Sequence, residues 1–135
     1  KVGIRYIEGY RKYMRKRLHE TEKFMPPAPI YELTEYAQSI LSLGNSCGEG
    51  WFLTAEMVEL IKHGVPNIIC MQPFACLPNH VTGKGMIKEL RRQYPQSNIV
   101  PIDYDPGASE VNQLNRIKLM ISSAFANEKK LNLNN

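Results

Sequence analysis

The stretch from Pro73 to Gly85, "PFACLPNHVTGKG", gathers residue types that do chemistry: Cys76, Asn79, His80, Thr82 and Lys84. Cys76 and His80 stand in a C-x3-H spacing, and a thiolate with an imidazole suits zinc or iron–sulfur ligation. Two ligands do not make a metal site, and a thiol under a loop is equally a small apolar packing group. "TGKG" resembles a phosphate loop, but Pro78 stands where the first glycine of that pattern must be, so the pattern fails. A helix beginning at the Gly-Lys-Gly could still attract an anion at its N-terminus. A second candidate is "YDPGAS", where Asp103 and Asp105 flank Tyr104. A D-x-D there could hold a cation or a ribose hydroxyl, or Asp105 could simply cap an Asp-Pro-Gly turn. Ser109, Glu110, Asn112, Asn115 and Arg116 follow. Ser109 is placed to cap a helix and Glu110 to meet its dipole. Glu110, Asn112 and Arg116 could share that rim or point to solvent. The other cysteines are Cys70, inside an apolar run and expected in the core, and Cys47, in "GNSCGEG" ahead of a helix.

These residues need elements to hold them. Ile4, Ile7, Met14 and Leu18 recur at helical spacing, predicting an amphipathic helix over about residues 3–23. The prolines of "MPPAP" end it and mark a boundary. "IYELTEYAQSIL", residues 30–41, reads as a second helix. After the glycine-rich loop, Leu53, Met57, Leu60 and Ile61 form the stripe of a third, stopped by Gly64 and Pro66. "NIICMQ" and "NIVPID" read as short strands buried on both faces. Between them lies a helix over about residues 83–94. A last helix follows Ser109, with Val111, Leu114, Ile117, Met120, Ile121 and Phe125 as its stripe.

Strand, helix, strand within some 35 residues is a βαβ unit with parallel strands, so the fold class is α/β. Ligands of such sheets collect beyond the carboxyl ends of the strands. Both candidate loops leave those ends. Two strands cannot bury both of their faces alone, so further structure must cover them. We expect residues 1–25 as a basic helical segment, 26–29 as a linker, 30–128 as an α/β lobe and 129–135 as a disordered tail. The sequence does not open on Met, which suggests processing or a piece of a longer protein.

The net charge of +4 is unevenly spread. Residues 1–25 hold eight Lys/Arg against three Glu, while the rest hold nine against ten acids. One short basic helix reads as a solvated face or a face for an acidic partner, so we expect neither a nucleic acid nor a membrane as partner. Three cysteines do not make a disulfide framework. Without an apolar leader the expected compartment is the cytoplasm.

Taken together, "PFACLPNH", "GKGMI" and "YDPGASEVNQLNRI" resemble the C-terminal region of 2-hydroxyacyl-CoA dehydratases and dehydratase-activase-related proteins. It resembles more closely the large proteins that join both parts in one chain. The resemblance spans roughly residues 30–126. It implies flavodoxin-like α/β lobes and a [4Fe–4S] cluster for low-potential electron transfer, fed by an ATP-dependent activase. It makes Cys76 the metal ligand, with Asn79, His80, Asp103, Asp105, Ser109 and Glu110 around the cofactor. The family's other ligand cysteines and its ATP-binding residues lie outside this chain, so this chain alone should hold no cluster and have no activity. The partners implied are the remaining domains of its own full-length protein, a dehydratase or activase, or a second copy. A metal-free nucleotide- or acyl-CoA-binding module, or a purely structural interaction domain, is the alternative.

Overall fold

The computed structural model describes residues 2–133, with side chains to residue 129. The chain divides into two compact units, residues 1–30 and 31–135.

In the first unit, helix α1 (Val2–Glu20) carries no buried residue. It is held by pairs one turn apart on its own surface. Arg11 bonds Glu8 at 3.1 Å, Arg17 bonds Glu20 at 3.0 Å, and the rings of Tyr6 and Tyr10 meet edge to face. Such exposed pairs are screened by solvent and add little to stability. Thr21 Oγ1 donates to Leu18 O at 2.6 Å, and the proline-bearing stretch follows.

The second unit is mixed α/β with helices α2 (Ile30–Gln38), α3 (Trp51–Lys62), α4 (Ile87–Gln93) and α5 (Glu110–Leu133), and strands β1 (Asn67–Pro73) and β2 (Asn98–Tyr104). The two strands pair in parallel, Ile68 beside Ile99 and Gln72 beside Asp103. At the entry end the registered pair Asn67 and Asn98 also bond through their side chains, at 3.0 Å. α4 falls between these two parallel strands in the chain, and both strands end at one edge.

The core lies on one face of this sheet. Met57, Val58 and Ile61 of α3 and Ile87 and Leu90 of α4 pack on Ile68, Cys70 and Ile99. Leu33 and Ala37 of α2 are buried too. α5 covers the other face over β2, where Ile102 is fully buried, and Asn98 Nδ2 donates to Met120 O at 3.0 Å.

Several expectations change. β1 alternates between buried and exposed residues, with Ile69 42% and Met71 54% exposed. An unbroken apolar run does not require two covered faces, and here no described element lies over them. Of the predicted α3 stripe, Met57 and Ile61 are buried and Leu60 packs on the core, and the covered side is wider, taking in Thr54, Ala55, Val58 and Glu59. On α5, Val111, Leu114, Ile121 and Phe125 are exposed, and the side toward β2 is Gln113, Ile117, Met120 and Ala124. α5 also runs on through Leu133, past residue 128 where a tail was expected; residues 134 and 135 lie outside the described residues. The helix expected from about residue 83 begins earlier, as a π-helical turn over Asn79–Gly83 and a 3-10 turn over Lys84–Met86 leading into α4. None of the described helices is long and apolar enough to cross a membrane.

Candidate functional site

The loop after β1 turns sharply. Ala75 takes a left-handed φ of 55°, a conformation that costs a residue with a Cβ about 1–2 kcal/mol. Cys76 follows directly, and its N–H donates to Pro73 O at 3.2 Å. The Cys76 thiol is free and half-buried. Its sulfur accepts a hydrogen bond from Asn79 Nδ2 at 3.1 Å, and Asn79 is itself buried, 7% exposed. Asn79 therefore holds Cys76 from beneath and does not line the open crevice.

Behind this pair lies a second sulfur. Cys70 is buried and accepts a bond from Gln72 Nε2 at 3.0 Å. Burial pushes its thiol upward, opposed in part by that bond. Gln72 is 1% exposed and its Oε1 has no partner among the described residues. Gly83 makes the close packing possible: a Cβ there would lie 3.3 Å from Cys70 Sγ and 3.5 Å from Gln72 Nε2.

Thr82, a candidate for ligand contact by sequence, has a structural task. It is 3% exposed, and its hydroxyl is shared between Gly50 O at 2.6 Å and Pro78 O at 2.8 Å. Thr54 Oγ1 donates in turn to Thr82 O. These bonds fasten the π-helical turn to the start of α3.

The carboxyl edge of the sheet opens into a crevice of about 750 Å³. Its walls come from both candidate loops and the first turns of α5, with His80, Lys84, Asp103, Asp105, Ser109 and Arg116 as the chemically active groups. Lys84 Nζ lies 3.9 Å from Asp103 Oδ1, linking the two loops. Both side chains are about half exposed, so the pair adds at most about 1 kcal/mol. Asp105 Oδ1 accepts the Gly107 N–H at 2.8 Å, which is the turn-capping role the sequence offered. Ser109 O accepts the Gln113 N–H at 3.1 Å, placing Ser109 at the helix N-cap. Gln113 Nε2 donates to Asp103 O at 2.8 Å and Arg116 to Pro101 O at 3.1 Å, so the helix is fastened to the end of β2.

His80, Asp103, Asp105 and Ser109 thus converge on one crevice. Glu110 is exposed in the first turn of α5 and does not line it, nor does Cys76. Sequence reasoning missed Ala75, whose role comes from a backbone angle, Gln72, which bonds Cys70 along its own strand, and Gln113, which bonds Asp103 ten positions away. A buried amide in an apolar strand was the one legible signal, at Gln72. Among the described residues no three His, Cys, Asp or Glu converge as a metal-binding group. Comparison with family models, curated proteins and solved structures finds no match.

Proposed function

We propose that this chain is the α/β lobe of an iron–sulfur protein related to 2-hydroxyacyl-CoA dehydratases and their ATP-dependent activases, and that it contributes Cys76 and one wall of the site. The observation that carries this is the setting of Cys76: a free thiol at the carboxyl end of a parallel strand, on a strained turn, its sulfur fixed by the buried Asn79. A hydrogen-bonded thiolate on a rigid turn suits ligation, because its position is set before the metal arrives.

The fit to a four-iron cluster is partial. Such a cluster takes three or four thiolates, and the described residues bring no such group together. The remaining ligands would come from other parts of the full-length protein, in keeping with the uncovered apolar surface at Ile69 and Met71. A bound cluster would supply low-potential electron transfer. This chain's own residues would hold one thiolate and shield it. Anaerobic iron and sulfide reconstitution of the full-length protein tests the role, with Cys76→Ala expected to lose iron, sulfide and visible absorbance together. An unchanged variant overturns it.

A second reading has its own observation, the crevice at the sheet's carboxyl edge to which Lys84, Asp103 and Arg116 bring charge. It makes the lobe a nucleotide- or acyl-CoA-binding module with no metal. Calorimetry with nucleotides and CoA esters then shows binding that weakens on Arg116→Ala, and no heat from any of them rules this reading out.

A further inference from the structure

The two edges of the sheet are finished differently. Asn98 N–H bonds Pro66 O at 2.8 Å. With the register of the strands, this bond fixes which backbone groups face inward: on β1 those of Ile68, Cys70 and Gln72, on β2 those of Asn98, Val100 and Ile102. The groups of Ile99, Pro101 and Asp103 therefore point away from β1, and a side chain takes each of their carbonyls. Arg91 donates to Ile99 O, Arg116 to Pro101 O at 3.1 Å and Gln113 to Asp103 O at 2.8 Å. Pro101 has no N–H to offer there. This edge is closed to a further strand.

The outer edge of β1 is not. β1 pairs with β2 alone, and the N–H and C=O groups of Asn67, Ile69 and Met71 point outward. Among the described residues no backbone partner reaches them. No charged residue stands between Asn67 and Pro73, and the side chains of Ile69 and Met71 are exposed beside this edge. A neutral, unguarded edge strand is a template for pairing.

We propose that the outer edge of β1 pairs antiparallel with β1 of a second copy of this chain, about a two-fold axis at Ile69, so that the two sheets become one. The outward groups lie evenly about Ile69, and this register uses all of them. Ile69 exchanges bonds with Ile69 of the second copy, and Asn67 with Met71 of the second copy. β1 thus matches its own edge in length and in the spacing of donors and acceptors. The strand is neutral, so no like charges are opposed. The two Ile69 side chains meet on the face that α5 leaves open, as a cross-strand apolar pair. The proposal does not depend on Cys76 being a ligand.

The test is sedimentation velocity of the 135-residue chain over rising concentration, with amide hydrogen exchange on the same samples. A dimer is expected. As it forms, exchange at Ile69 and Met71 should slow, while Ile68 and Cys70, already bonded to β2, should not change. A monomer at every concentration overturns the proposal, as does a dimer whose Ile69 and Met71 amides still exchange fast. These readings come from the unaltered chain and hold whether or not a variant folds. Ile69→Lys and Ile69→Glu each oppose like charges across the axis, and each should raise the dimer dissociation constant by about tenfold or more. Mixing the two should restore the dimer, since opposite charges then face each other. Variants that dimerise like the parent, or a mixture as weak as either alone, place the contact elsewhere and overturn the proposal. In the longer protein, a monomer whose Ile69 and Met71 amides are slow at every concentration assigns the edge to another strand of the same chain, and overturns the second copy.

Discussion

Ala75 and Thr82 show how single residues set the geometry around Cys76. Ala75 carries its left-handed φ with a methyl group in the way. Ala75→Gly removes that strain at some cost in unfolded-chain entropy, so the expected net gain is about 0.5–1 kcal/mol. Urea unfolding measures it, and a midpoint that falls would show that the turn is not strained. Thr82→Val keeps the shape but deletes the donor shared by Gly50 O and Pro78 O. A loss of about 1–3 kcal/mol is expected, with faster proteolysis in the glycine-rich loop. A variant as stable as the parent would mean that the two segments do not depend on this bond. Neither role was legible beforehand. Nothing in "PFAC" announces a positive φ, and Thr82 reads as a polar loop residue until Gly50 is seen against it, 32 positions away. Cys70 was legible, because a cysteine amid β-branched residues has few places to go but the core.

At the scale of elements, periodicity placed the helices and both strands to within a few residues. It failed where an element departs from one regular period. The segment Asn79–Met86 passes through a π and a 3-10 turn before α4, and neither leaves an amphipathic repeat. It failed also for which face is covered, since "NIICMQ" reads alike whether one face or two are packed. α4 carries a local prediction. Arg92 and then Gln93 hydrogen-bond Glu89 and hold its carboxyl down to about 2 from an ordinary 4.5. A carboxylate with a depressed folded pKa stabilises fully above its unfolded value and loses that contribution as pH falls from about 4.5 toward about 2. Glu89→Gln should therefore flatten the drop in unfolding midpoint between about pH 5 and about pH 3. An equally steep drop in the variant would place the acid sensitivity elsewhere.

Over the whole molecule, the apolar surface is the feature that demands explanation. Ile69 and Met71 on the sheet, and Val111, Leu114 and Phe125 on α5, are 42–67% exposed. These bare side chains on the sheet and on α5 are the surface a contact face would use. The 135-residue chain should self-associate as its concentration rises, and Met71→Lys should reduce this while moving stability by no more than about 0.5 kcal/mol. Light scattering that shows a monomer at every concentration would count against such a face. The expectation that two strands need outside cover came from the sequence. Which residues stay bare did not, because α5 covers β2 and leaves β1 open.

The central claim is that Cys76 is a metal ligand, and it is tested most directly by a paired comparison. Iron bound per chain is measured after anaerobic reconstitution of the longer protein proposed above, carrying Cys76→Ala or Cys70→Ala. Cys70, packed among core side chains, should prove dispensable, so its variant keeps iron and visible absorbance while the Cys76 variant loses both. Equal iron in the Cys76 variant and the unaltered protein would contradict the account.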